Sequence, residues 1–348
     1  MDANSSDSQV HTVLGPVPAT ELGLTLPHEH ILSSVEAFLE PPRDLSARRL
    51  LEAEMGPANL EQVRQAPYGN RQNTRFDDED LAAWELTQFR EAGGKTVVDQ
   101  TMPDMGRDLP GLVRIARRTG VHIVAGCGYY DVQATACNVA SRTVEELAAE
   151  IAADLLRDPD EGGMPAGVIG EICVSYPISD LETKALAAAA VAHLRTGAPI
   201  SIHADPPHGA AAVDVLERRG VDPRRVAVAH TDRVPDLAYQ MALAERGAFV
   251  EFDCFGWERV TLGEADLEAS ADRKRAGAAA SMLAAGFGDQ LLLSQDVVTR
   301  IQLATYGGGG YAYLPYDLPP LFEEYGISRH LLHRLMTEAP ARWLSWGH

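Results

Sequence analysis

Six residues of the 348-residue chain have the types to hold metal ions, at positions a regular fold could bring together: His28, His30, Glu171, His203, His230 and Asp296. The first two stand one residue apart in Pro27-His28-Glu29-His30, after the apolar and β-branched run Leu22-Gly23-Leu24-Thr25-Leu26. Successive side chains of a strand point to opposite faces, so His28 and His30 share one face and Glu29 points away from it. Two imidazoles on one face can share a metal ion. Alone, His-x-His is a weak signal, because paired histidines also occur as ordinary polar residues at strand ends. Its weight comes from the other four, each at the carboxyl end of a short β-rich run: Glu171 in Val168 to Ile172, His203 after Pro199 to Ile202, His230 after Val226 to Ala229, and Asp296 closing Gln290 to Gln295.

Six nitrogen and oxygen ligands exceed what one tetrahedral zinc needs and suit two divalent ions sharing a carboxylate. The expected arrangement puts His28, His30 and Asp296 on the first ion, His203 and His230 on the second, and Glu171 between them. With no cysteine in the set, Zn2+ is the first expectation, and Mn2+, Co2+ and Fe2+ fit the same donors. Such a pair holds a hydroxide at neutral pH, because coordination lowers the pKa of water from about 15.7 to about 7. The hydroxide would attack a carbonyl or phosphoryl centre, with Asp296 as the catalytic group that takes its proton and passes it to the leaving group.

For these residues to meet, the strands that carry them must be parallel. From Leu81 onward one unit recurs: a helical stretch ends in glycine and a short β-rich run follows, as in Leu81 to Ala92, Gly93-Gly94, then Lys95 to Asp99. Thr143-x-x-Glu146 and Ser179-x-x-Glu182 have the capping-box pattern at the start of two of the helices. With the Leu22 run there are eight strands, and alternation of this kind means right-handed crossovers between parallel strands. Eight such units point to a (β/α)8 barrel of the TIM type, with every candidate ligand at one mouth. Val13 to Pro18 is expected to form a short hairpin over the opposite mouth. Two stretches break the rhythm and emerge on the ligand side: residues 36–80 after the first strand and 297–318 after the eighth. The glycine run 307–310 lacks the Lys-Ser/Thr of a phosphate loop and reads as a flexible lid or a tight turn.

Composition narrows the function classes. A net charge of −20 repels nucleic acid and anionic membranes, so neither is expected as a partner, although a metal or one arginine can reverse the field locally for an anionic substrate. The apolar runs, such as Ala185 to Ala192, are too short to span a bilayer. Met1 to Val10 is polar, without the basic start and apolar stretch of a signal peptide, and is expected to be a disordered tail before one domain over 11–348. Four cysteines without Cys-x-x-Cys spacing read as free thiols in a cytoplasmic protein.

Several residues beside the ligands are candidates for substrate contact. Tyr129 and Tyr130 close the third strand, and Cys254, Phe255 and Trp257 follow the seventh, where they could wall an acyl chain or leaving group. Arg233, just past His230, and Arg300, just past Asp296, could receive a carboxylate or sulfonate. Packing beneath loops and structural ion pairs are the competing readings for these residues. Asp232 is expected to orient His230 or its loop.

Gly15-Pro16-Val17, Leu24-Thr25-Leu26-Pro27-His28-Glu29-His30, Gly106-Arg107-Asp108, Gly167 to Ile172, Ile202-His203, His230-Thr231-Asp232 and Ser294-Gln295-Asp296 together resemble the phosphotriesterase family of the amidohydrolase superfamily, from about His11 to the C-terminus. The best-known phosphotriesterases carry a carboxylated lysine on the fourth strand, where this chain has Glu171. That departure, with Pro67-Tyr68, Phe252 to Gly256 and the 306–313 loop, resembles the phosphotriesterase-related and phosphotriesterase homology branches. The resemblance implies a homodimeric, binuclear metal hydrolase of carboxylic esters, lactones or N-acyl amides. The rival readings are a phosphotriester hydrolase and, from another class, a small-ligand-binding protein without turnover.

Overall fold

The apolar runs form eight parallel strands: β1 (Leu24–Glu29), β2 (Gly94–Asp99), β3 (His122–Cys127), β4 (Val168–Cys173), β5 (Ile200–His203), β6 (Val226–Ala229), β7 (Phe249–Phe252) and β8 (Leu291–Leu293). They lie side by side in sequence order. Helices such as Glu79–Glu91, Leu109–Thr119 and Asp180–Thr196 return the chain from each strand to the next, giving the (β/α)8 barrel expected from the alternation. The computed structural model describes residues 8–40, 44, 48–130, 136–257 and 272–347. Among the described residues no helix is long and apolar enough to cross a membrane.

Strand alternation sorts the core into two layers. Val97, Ile123, Ile169, Ile200, Val228 and Leu291 pack in the larger core with the helices. Val98, Val124, Val168, Ala227 and Leu292 form a second cluster with Val10, Leu22 and Trp343 that fills the lower end of the barrel. The helix starts are fixed as the sequence suggests: Thr143 with Glu146, and Ser179 with Glu182, form complete capping boxes. The hairpin pairs Gln9–Thr12 with Gly15–Pro18, and the Val13 N–H donates to Ile123 O at 2.8 Å. Its first strand begins earlier than expected, so Gln9 and the fully buried Val10 belong to the fold rather than to a tail. The rest of the expected tail, residues 1–7, lies outside the described residues.

The seam between β8 and β1 is closed by side chains. Ser294 Oγ accepts the His28 N–H at 3.0 Å and donates to Glu29 Oε1 at 2.8 Å, while the Asp296 N–H donates to His28 O at 3.2 Å. Glu29 also accepts from the N–H groups of Gln295 (3.0 Å) and Val297 (2.8 Å). The residue that points away from the histidine face thus clamps both neighbours of Asp296. The loop after β8 is a tight turn and not a lid: the Gly310 N–H donates to Gln302 O, Gln295 Nε2 donates to Gly310 O, and the buried Tyr311 donates its hydroxyl to His30 O at 2.6 Å. The insertion after β1 contributes short helices at Arg48–Leu51 and Leu60–Gln65 and a two-residue ribbon, Ser33–Ser34 against Arg75–Phe76.

Candidate metal centre

Three strand ends and two bends bring the six candidate ligands to the carboxyl mouth. His28 lies in β1 and His30 just beyond it, both buried. Glu171 lies in β4 behind Gly170, whose φ of 127° suits glycine and where a Cβ would meet Ser201 O at 2.2 Å. His203 ends β5. His230 and Asp296 follow β6 and β8 with φ of 58° and 48°, a left-handed conformation that costs a non-glycine residue about 1–3 kcal/mol and turns each side chain into the mouth. His230 is held there by its N–H to Asp253 Oδ2 at 2.8 Å, and Asp296 by the seam bond to His28 O.

Glu171 sits between two groups of donors. Its Oε1 is 3.4 Å from His30 Nε2, and its Oε2 is 3.3 Å from His28 Nε2, 2.8 Å from His203 Nδ1 and 3.6 Å from His230 Nε2. Asp296 Oδ1 is 3.4 Å from His30 Nε2 and 3.9 Å from His28 Nε2. His28, His30 and Asp296 form one set whose ligand atoms all lie within 4.8 Å of one another, and Glu171, His203 and His230 form a second. His28 Nε2 is buried and has no hydrogen-bond partner among the described residues, and His203 Nδ1 faces His230 Nε2 at 2.7 Å. Two ring nitrogens that close share at most one proton, so a set of lone pairs converges with too few hydrogens to satisfy them. Divalent cations fit this donor set, which contains only imidazole nitrogen and carboxylate oxygen.

Electrostatics agrees. Burial opposes ionisation of Glu171, but the charges of His28 and His203 overcome it and hold the carboxyl well below the usual range. Burial also opposes ionisation of Asp296, and the hydrogen bond to His30 and the charge of His230 outweigh it. Burial lowers His30, yet hydrogen bonds to Asp296 and Glu171 lift it to about 9. Burial and the neighbouring His230 charge push His203 down to about 4. The metal-free centre keeps its carboxylates ionised by gathering protons on some of its histidines, a balance that a divalent cation can supply instead.

Each of three histidines is fixed from behind. His28 Nδ1 meets Glu251 Oε2 at 3.1 Å, His230 Nδ1 meets Asp253 Oδ1 at 2.9 Å, and His30 Nδ1 meets Thr101 Oγ1 at 3.0 Å. Asp99 in turn accepts the Thr101 N–H at 3.0 Å. Partners of this kind set the tautomer and ring orientation of a metal-binding histidine. Asp232 does not touch His230: it accepts the N–H groups of Asp253 and Cys254 and pairs with the buried Arg275 at 2.8 Å.

Above the ligands opens a cavity of about 440 Å³ lined by His30, Glu171, His203, His230 and Asp296 together with Tyr130, Arg233, Trp257, Phe38 and Tyr68. Tyr130 stands edge-on to the His203 ring at 5.2 Å. Arg233 lies over Trp257 at 5.0 Å, with Nη1 on Asp205 at 2.9 Å and Nη2 3.6 Å from Asp296 Oδ2. Two expected substrate contacts are corrected. Cys254 is buried outside the cavity lining, with its N–H on Asp232 and Sγ against Asp253 at 3.4 Å. Arg300 is spent on structure, with Nε on Arg75 O at 2.5 Å and Nη2 on Asp77 at 2.6 Å. Phe255 packs on Phe322, and Tyr129 meets Arg142, both away from the ligands.

Residues 8–344 match the model of the phosphotriesterase family. The chain belongs to the phosphotriesterase family. It is similar to the N-acetyltaurine hydrolase of Salmo salar, 34% identical over 97% of this chain and 98% of that one. Among solved structures it is similar to a resiniferatoxin-binding protein from Rhodobacter sphaeroides, with a TM-score of 0.92 and 34% identity over 98% of this chain and 96% of that one. It is also similar to the phosphotriesterase homology protein of Escherichia coli, complexed with phosphate in its active site, with a TM-score of 0.76 and 28% identity over 93% of this chain and 99% of that one. The protein is thus a hydrolase of the phosphotriesterase family.

The residues that sequence reasoning missed in this phosphotriesterase-family site are Glu251, Thr101, Phe38 and Tyr68. Glu251-Phe252-Asp253 puts two acids on one face of an apolar strand, by the same period of two that marks His28 and His30.

Proposed function

We propose that the protein is a binuclear metal hydrolase that cleaves a small N-acyl amide, with carboxylic esters and lactones as variants of the same carbonyl chemistry. The observation that carries this reading is the position of Glu171 between the two ligand sets, beside the partnerless Nε2 of His28. The relatives named N-acetyltaurine hydrolase support an amide as the bond cleaved. His28, His30 and Asp296 would hold one ion and His203 and His230 the other, with Glu171 bridging and Zn2+ the first choice. Such ions supply Lewis acidity and a water whose pKa is lowered to about 7.

The chain's own groups then divide the work. Asp296, kept ionised by His30 and His230, can accept the proton of the attacking water and deliver it to the leaving nitrogen. Tyr130, Tyr68 and Phe38 form an apolar wall that can seat an acyl group and thin the water around the carbonyl. Glu251 and Asp253 hold His28 and His230 in place throughout.

The test is kcat/KM of the Zn2+- and Mn2+-loaded protein on a matched N-acyl amide, lactone and aryl ester against an aryl phosphotriester. An N-acyl amide is expected to exceed the phosphotriester by about 100-fold, some 2.7 kcal/mol of transition-state binding. A phosphotriester that leads overturns the carbonyl reading.

A further inference from the structure

Arg233 is the one lysine or arginine among the described residues that line the mouth cavity, in a chain of net charge −20. Its guanidinium is held with unusual completeness. One face lies on Trp257, whose Nε1 donates to Gln295 O at 2.9 Å, and Nη1 is tied to Asp205. The opposite edge is different. Nε is buried and has no hydrogen-bond partner among the described residues, and Asp296 Oδ2 stands 3.6 Å from Nη2, beyond hydrogen-bond length. Nε and Nη2 form the side-on edge of an arginine, two parallel N–H donors that match the two oxygens of a carboxylate or sulfonate.

Position selects which part of the substrate this edge can meet. Asp296 delivers a proton to the leaving nitrogen, so that nitrogen must lie beside the Asp296 carboxylate. Arg233 adjoins the same carboxylate. An acid group one or two carbons from the nitrogen lies about 3–5 Å from it, which is the span between Asp296 and the guanidinium. Tyr130, Tyr68 and Phe38 offer the acyl group an apolar surface, and there is no second cation among the described lining residues.

We propose that Arg233 receives an anion carried on the amine side of the scissile amide, so that the substrate class is N-acyl amino carboxylates and sulfonates with one or two carbons between nitrogen and acid. This rests on the amide-hydrolase reading above. Asp205 is the built-in competitor for the guanidinium. Its side chain is 63% exposed and its ion pair with Arg233 is correspondingly weak, so an incoming anion can take over part of the charge at small cost. Arg233 is a specificity residue in this scheme, and Asp205 tunes it.

The experiment compares N-acetyltaurine and N-acetyl-β-alanine with the neutral N-(2-hydroxyethyl)acetamide on the Zn2+-loaded full chain. The readout is the ratio of kcat/KM for anionic over neutral substrate, not the absolute rate. The unmodified protein is expected to prefer the anions by about 30-fold or more, as for hydrogen bonds to a charged group, and Arg233→Gln to bring the ratio within about threefold of unity. Asp205→Asn is expected to lower KM for the anions by a factor of about 2–5 and so raise the ratio; it carries the test if Arg233→Gln fails to fold. Equal loss on both substrates in Arg233→Gln, with the ratio unchanged, overturns the proposal and leaves Arg233 acting only on Asp296. Calorimetric titration with taurine and with ethanolamine separates this from the reaction itself. If no amide is cleaved but taurine binds and Arg233→Gln abolishes that binding, the anion site stands and the amide reading falls. If taurine binds no better than ethanolamine, the anion site falls.

Discussion

Glu251 Oε2 lies 3.1 Å from His28 Nδ1, on the opposite side of the ring from Glu171, so the imidazole presents Nε2 to the centre. Burial lifts Glu251 to about 7, with the His28 hydrogen bond working against that rise. Glu251→Gln keeps the shape and removes the charge that would make His28 a strong ligand in the proposed centre. The expected result is a metal affinity about 10–100-fold weaker, read as metal retained after dialysis against a graded chelator. Activity should return at high metal concentration. Full retention of metal in this variant would show that the Glu251 charge does not tune the centre through His28.

Stability of the metal-free protein should fall as pH rises. Burial lifts Glu29 from 4.5 to about 8 and Glu251 from 4.5 to about 7, and hydrogen bonds to Asp296 and Glu171 lift His30 from 6.5 to about 9 against its burial. Each binds its proton more tightly when folded. Its contribution is therefore complete below the unfolded value and lost as pH rises through the folded one. His203, pushed down to about 4, works oppositely: its contribution grows as pH rises from about 4 to about 6.5 and is kept above that. The metal-free melting temperature is expected to fall from pH 6 to pH 9, by about 5 °C or more, whereas metal-loaded protein should hold level over that range. Thermal melts at pH 6, 7.5 and 9 decide this, and a metal-free midpoint that climbs toward pH 9 contradicts it.

Reconstitution probes the carboxylate between the ligand sets. In the proposed bridging role Glu171, whose oxygens lie 3.4 Å from His30 and 2.8 Å from His203, would need no carbamate formed from carbon dioxide. Stripped protein should regain full activity with Zn2+ or Mn2+ in bicarbonate-free buffer. Glu171→Ala should lose turnover and at least one of the two ions by elemental analysis. A strict requirement for bicarbonate would remove Glu171 from the bridging role.

The convergence of the six candidate ligands was legible in the sequence because a strand has a period of two and a parallel barrel brings every strand's carboxyl end to one mouth. The same rule could have found Glu251, which shares a face with Asp253. It also corrects Cys254: adjacent residues of an extended segment cannot both face inward, and Asp253 does so to reach His230. Arg300 was misread because nearness to Asp296 in sequence says nothing about direction after a left-handed bend; the chain turns into a short 3-10 helix and the side chain reaches Arg75 and Asp77 instead. Phe38 and Tyr68 were out of reach for a different reason. They enter the cavity from the insertion after β1, whose path is set by tertiary contacts such as the Glu40 N–H on Tyr68 O, at 2.9 Å, and not by any local periodicity.

Arg275 ties the loops of the mouth together from beneath. Its Nε donates to Asp232 at 2.8 Å and its Nη1 to Asp272 at 3.2 Å. Asp232 accepts the Cys254 N–H at 3.1 Å, and Asp272 accepts the Gly256 N–H at 3.0 Å and the Tyr313 hydroxyl at 2.8 Å. One buried cation thus joins the ends of β6 and β7 to the helix Asp272–Ala284 and to the loop after β8. Removing it leaves two acids in an environment that already pushes Asp232 upward by burial. Arg275→Met is expected to cost about 3–5 kcal/mol, seen as a lower urea midpoint. Adding Asp232→Asn should restore part of that loss, because the stranded charge and not the missing contact area dominates it. The double-mutant cycle measures this coupling. Strict additivity, or a single-variant cost below about 1 kcal/mol, would mean that the backbone hydrogen bonds to these carboxylates hold the loops without the arginine.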